Sequence, residues 1–267
     1  MRIVFFGASR LGYACCEHLI SLGHDIVGLF TVPRQFAISY SPGAPVTNVL
    51  HRDFHALGEQ HGLPVITVTG KMSEYADALR AWSPDLLVAI GWYHMIPRAL
   101  REIAPRGCIG IHGSLLPRYR GGAPLVWAMI DGESETGVSL FHFADGVDDG
   151  DIIGQQAFPI GARETIADLL DKAERASLEL LARFVPMIAD GSAPRIVQDH
   201  HAATTRPQRS PDDGRIDWEW DAARIDRFIR AQTRPYPGAF TEVGDKRVHI
   251  WSADVVSTAQ PPVSPDA

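Results

Sequence analysis

Three observations predict an α/β fold with a mostly parallel, Rossmann-like sheet flanked by helices. Short apolar runs such as Ile-Val-Phe-Phe (3–6) and Leu-Leu-Val-Ala-Ile (86–90) read as buried strands. They alternate with helical segments through residue 190, the pattern of strand–helix units. From Gly214 the alternation gives way to one helix and two short strands, which predicts a small β-rich C-terminal unit. The expected division is a domain over 1–190, a linker over 191–213 and a second unit over 214–267.

Residues 2–7 form the first strand, ended by Gly7. Gly7 and Gly12 bracket the turn into a helix over 11–21. That spacing is not the dinucleotide fingerprint Gly-x-Gly-x-x-Gly. A phosphate or sugar at the helix N-terminus and a plain strand–helix turn both stay open. Gly23 stops the helix, and 25–32 is the second strand. Pro33, Pro42, Gly43 and Pro45 make 33–48 a loop. A helix follows over 49–61, capped near Thr47 or Asn48. His51 and His55 would share one of its faces. Arg52 stands where a zincin needs Glu, so a solvated face is the better account.

A strand over 65–68 and a helix over 73–82 come next, with Tyr75, Leu79 and Trp82 on the apolar side. The strand over 85–90 runs into Gly-Trp-Tyr-His-Met-Ile, which is either ordinary core or the lining of a pocket for a flat heterocycle. Pro97 opens a short helix to 103. A central strand over 108–111, a helix over 123–130 and a strand over 136–143 lead to an acidic, Gly-rich loop at 144–151, then a strand over 152–160. An EF-hand count from Asp145 fails, with Val147 third and Gln156 twelfth. Ile166, Leu169, Leu170, Ala173, Leu180, Leu181, Phe184 and Ile188 mark a long helix over 165–190. Residues 192–211 read as a polar linker, with His200 and His201 on the surface. The last segments are a helix over 222–232 and strands over 239–243 and 247–255.

The 267 residues are 45% hydrophobic and 21% charged, which is ordinary for a soluble globular chain. A net charge of −7 excludes an overall basic field toward nucleic acid. No apolar run approaches a membrane span. Cys15, Cys16 and Cys108 lack metal-ligand spacing and read as reduced core thiols, hence a cytoplasmic protein.

The stretch most informative about chemistry runs from Gly107 to Asp151. His112 sits where the central strand ends, at the end of the sheet where ligands bind in open α/β folds. From these residues alone it is either a structural histidine or half of an acid–base pair with the returning acidic loop.

Four pieces of this stretch, taken together, resemble the folate-dependent formyltransferases. They are His-Gly-Ser-Leu-Leu-Pro (112–117), Arg-Tyr-Arg-Gly (118–121), Glu-Thr-Gly-Val (135–138) and Gly-Val-Asp-Asp-Gly-Asp (146–151). The resemblance implies 10-formyltetrahydrofolate as co-substrate, no metal, and His112 paired with Asp148 in catalysis. It implies that the reduced folate is held by His94, Met95 and Ile96, largely through their backbone, together with Gly122, Ala144, Asp145, Gly146 and Val147. It further implies that 214–267 begins a β-barrel-like domain, truncated or reduced here. One position departs. Family members carry Asn two residues before the His, where this chain has Gly110. That carboxamide is taken to help orient or polarise the formyl oxygen, and losing one such donor costs ~10²–10³ in rate. Asn restored at 110 is expected to speed transfer if the loop can seat it, and to strain the chain if Gly110 has positive φ.

Three features favour the amine of an amino-sugar nucleotide, UDP- or dTDP-linked, as acceptor. They are the acidic net charge, a 33–48 loop whose one basic residue is Arg34, and Arg-Pro-Tyr-Pro-Gly-Ala-Phe at 234–240, which is similar to the amino-sugar branch. Methionyl-tRNA is the alternative acceptor, with tRNA disfavoured by charge, and an amino-acid amine such as hydroxyornithine ranks third. A non-catalytic folate- or sugar-nucleotide-binding module is a reading of a different class. A homodimer is left open.

Overall fold

The computed structural model describes residues 1–36 and 46–256. Its sheet comprises β1 (Arg2–Phe6), β2 (Asp25–Thr31), β3 (Val65–Thr67), β4 (Leu86–Ala89), β5 (Cys108–His112), β6 (Glu135–His142) and β7 (Ile152–Pro159). Their spatial order is β7-β6-β5-β4-β1-β2-β3. The first five strands are parallel in the doubly wound order 3-2-1-4-5, which reverses between β1 and β4. β6 and β7 add an antiparallel edge beside β5. The sheet is mostly parallel, as expected.

The flanking helices are α1 (Arg10–Ser21), α2 (Phe54–His61), α3 (Ala76–Ala81), α4 (Arg98–Arg101), α5 (Pro124–Asp131), α6 (Ile166–Asp190) and, in the C-terminal unit, α7 (Ala222–Gln232). Strand periodicity feeds two cores. Ile3 and Phe5 join Leu19 of α1 and Leu181 of α6 on one face, while Val4 and Phe6 join Phe30, Leu87 and Ile96 on the other. α6 starts at a capping box, in which Thr165 N–H donates to Asp168 Oδ2 at 2.8 Å, and stops at Gly191 with φ 82°.

Two helices differ from expectation. α2 begins at Phe54, because Asp53 Oδ1 accepts from the N–H groups of His55 (2.9 Å) and Ala56 (3.2 Å). Asn48 is no cap. Its amide donates to Ala8 O at 3.0 Å and its Oδ1 accepts from Leu50 N at 3.0 Å. His51 therefore lies outside the helix, with Nε2 3.3 Å from Val32 O, while His55 Nε2 meets Thr67 Oγ1 at 2.7 Å. The two rings serve separate hydrogen bonds. The expected helix over 73–82 is a 3₁₀ turn, Met72–Tyr75, followed by α3.

In the C-terminal unit, β8 (Ala239–Val243) and β9 (Lys246–Ile250) form an antiparallel hairpin, five residues shorter at its end than expected. Ile216, Phe228, Ile229 and Ala239 make a small core against which Ile130 of α5 packs, so this unit is seated on the first. Part of the 33–48 loop and the 257–267 tail fall outside the described residues. No described helix is long and apolar enough to cross a membrane.

Candidate active site

Arg10 N–H donates to Leu50 O at 2.7 Å and Gly12 N–H to Ser9 Oγ at 3.3 Å. A Cβ on Gly12 would lie 2.3 Å from Ile90 O, so that glycine permits close packing of helix start on strand end. At the Gly7–Gly12 turn, the Arg10 and Gly12 amides are thus already used within the fold.

At the end of β5 the chain brings together what the sequence separates by 36 positions. His112 Nδ1 lies 3.4 Å from Asp148 Oδ2, and His112 Nε2 lies 2.7 Å from Tyr119 O. The imidazole is 9% exposed and the carboxylate 22%. Both ring nitrogens thus face protein oxygens. Asp148 Oδ2 also accepts from Gly121 N at 2.9 Å. Tyr119 (φ 57°), Ala123 (φ 48°) and Asp148 (φ 51°) are three of the four non-glycine residues with positive φ among those described. Each such residue costs about 1–3 kcal/mol and persists only where its surroundings over-determine it.

The segments expected to hold a folate lie around Phe143. Ile96 is buried in the core that Phe143 packs against, while Met95 is exposed and His94 is half-buried, its pKa lowered by desolvation. Arg101 of α4 anchors the second segment, donating to Phe143 O at 2.8 Å and pairing with Asp145. Ala144, Asp145, Gly146 and Val147 are exposed. A cleft of about 730 Å³ opens beside His94 and Met95, lined also by Phe36, Val68, Met72 and Lys71. An apolar cleft of that size with a few polar groups fits a heterocyclic ligand. Gly122 packs closely on the segment after α6, since a Cβ there would lie 2.3 Å from Gln208 Cα.

That contact belongs to a feature the sequence did not signal. The polar segment after α6 folds back over the motif loop: Thr204 O accepts from Arg120 N (2.8 Å), Arg206 O accepts from Gly122 N (3.0 Å), and Thr204 Oγ1 accepts from Tyr119 N (2.9 Å). His200 and His201 are exposed as expected, although His200 Nδ1 is 3.3 Å from Arg120 Nη2. Polar linker composition carries no periodicity from which such docking could be read.

His142 lies away from the pair, in a second cleft of about 690 Å³ that Arg98, Arg101 and Arg195 also line. Burial pushes its pKa down to about 4, with Arg195 adding to the shift. The unfolded chain therefore takes up this proton first as pH falls. Stability from the neutral ring is complete above about 6.5 and is lost between there and about 4. Urea unfolding across this window is expected to show a flatter pH dependence for His142→Gln than for the parent, by at most about 1.4 kcal/mol per pH unit. Equal slopes would show that the ring does not contribute.

An imidazole–carboxylate pair at a strand end of an open α/β sheet is an arrangement that can move protons. The chain belongs to the formyl transferase family, matching its model over residues 1–185 and the model of the formyl transferase C-terminal domain over 209–265. It is a folate-dependent N-formyltransferase that draws its formyl group from formyl-tetrahydrofolate. It is 35% identical over 263 residues to methionyl-tRNA formyltransferase of Citrifermentans bemidjiense, covering 98% of this chain and 80% of that protein. Its fold is similar to that of a 4-N formyltransferase from Francisella tularensis, with TM-score 0.72, 17% identity, and 95% and 98% of the two chains covered. It is also similar to WlaRD, a sugar 3N-formyl transferase whose structure was determined with dTDP and 5-N-formyl-THF. There the TM-score is 0.65 at 16% identity, with 86% and 78% of the chains covered.

Proposed function

We propose that this enzyme transfers the formyl group of 10-formyltetrahydrofolate to the amine of a nucleotide-linked amino sugar, with a UDP or dTDP carrier. Charge is the observation that supports this acceptor. The chain is acidic overall, at −7, and Arg34 is the one basic residue of the 33–48 loop. A tRNA acceptor would require several phosphates to be neutralised, whereas a sugar nucleotide needs two. The 35% identity to methionyl-tRNA formyltransferase favours the second reading, an initiator-tRNA acceptor.

The folate supplies the formyl carbon. Transfer requires a proton taken from the attacking amine and one delivered to the departing nitrogen. In this proposal the His112–Asp148 pair takes up the amine's proton and returns one to the departing nitrogen, with Asp148 and the Tyr119 carbonyl orienting the ring. His94, Met95, Ile96, Gly122 and residues 144–147 hold the folate. The proposed catalytic domain spans 1–190 and the second unit 214–267, with 191–213 between them completing the wall of the site.

Acceptor assays with 10-formyltetrahydrofolate decide between the readings. Formylation of UDP- or dTDP-amino sugars is expected, with weak salt dependence. Efficient formylation of methionyl-tRNA, with binding that falls steeply with salt at a slope of roughly −0.9 per phosphate contacted, would overturn the sugar reading.

A further inference from the structure

Gln198 lies between the residues matched by the two family models, 1–185 and 209–265. It is 3% exposed, and its side-chain amide is fully engaged. Nε2 donates to the carbonyl oxygens of Asp148 (2.8 Å) and Gly150 (2.7 Å). Oε1 accepts from Arg120 Nε (3.1 Å) and Nη2 (2.6 Å). An amide has two N–H donors and two lone pairs, and all four are used here. Each partner belongs to the surroundings of the His112–Asp148 pair. Arg120 adjoins Tyr119, whose carbonyl faces His112 Nε2, and Gly121, whose N–H holds the Asp148 carboxylate. Gln198 therefore clamps the motif loop to the acidic loop at the residue that must keep φ 51°.

We propose that Gln198 is a positioning residue for formyl transfer: it fixes the Asp148 backbone so that the carboxylate meets His112 Nδ1. The segment after α6 is then part of the active site rather than a tether. This rests on the proposed role of the His112–Asp148 pair. A purely structural glutamine would affect folding alone. A positioning one affects turnover through Asp148, and a 1 Å misplacement in an active site can cost ~10²-fold.

The test uses Gln198→Glu, which keeps an oxygen for Arg120 but puts a second oxygen against two carbonyl oxygens. Gln198→Met, which buries no new charge, serves in its place if the Glu variant does not fold. With formyl-tetrahydrofolate and the accepted amine, kcat is expected to fall about 10- to 100-fold while both KM values stay within about threefold. In an Asp148→Asn background the same change is expected to cost less than about threefold. Parental turnover in a folded variant, or equal losses in both backgrounds, would overturn the positioning role. Undiminished turnover in Asp148→Asn itself would instead overturn the reading of the pair.

Discussion

His112→Asn is expected to lower kcat for formyl transfer by about 10²–10⁴-fold, the range of general acid–base contributions, with little change in folate KM. Asn is close in size and keeps an amide near the Nδ1 position, toward Asp148, so the fold should persist. What it lacks is a titratable nitrogen. Asp148→Asn should cost less, because its amide oxygen can still accept from Gly121 N, though without a charge beside the ring. In the proposed role the two act as a unit, so the double variant should be little worse than His112→Asn alone. Steady-state assays with both substrates near saturation check this. A loss below about tenfold for His112→Asn, or losses that multiply, would remove the pair from the chemistry.

Legibility in the sequence followed physical locality. Strands and long helices were readable because burial leaves a period: the alternation of Ile3 and Phe5 with Val4 and Phe6, or the stripe from Ile166 to Ile188 on α6. Strand order was not, since it is set by crossovers that no single run encodes. α2 was misplaced because Asn48 and Asp53 are both good caps, and only the fold shows that Asn48 is committed to Ala8 and Leu50. The His112–Asp148 pairing came from the resemblance, and the fold supplies the 3.4 Å approach between them. Gln198 was illegible in the sequence. Its role depends on long-range hydrogen bonds, to Arg120 across 78 positions and to Asp148 across 50.

Gly110→Asn is expected to destabilise the protein by about 1–3 kcal/mol, the usual cost of overpacking a core, and to bring no gain in rate. The sequence offered two outcomes for this change: a faster enzyme, or backbone strain from positive φ. Gly110 is not among the positive-φ glycines, so the second cause is removed. It lies within β5, paired with Ala89 on one side and Phe141 on the other. Side-chain room is what fails. A Cβ at 110 would lie 2.4 Å from Phe143 Cε1, 2.9 Å from Phe143 Cζ and 2.7 Å from Ala89 O. The Phe143 ring occupies the space the carboxamide would enter, so the two positions should be coupled. Gly110→Asn combined with Phe143→Ala should be more stable than the sum of the single losses predicts, by about 0.5–3 kcal/mol. The Ala89 carbonyl remains in the way, so full recovery is not expected. Denaturant titration of the four proteins measures the coupling, and turnover of the folded double variant tests whether an amide at 110 aids transfer. Parental stability in Gly110→Asn alone would show that Phe143 yields its place freely, and the ring would no longer account for the glycine.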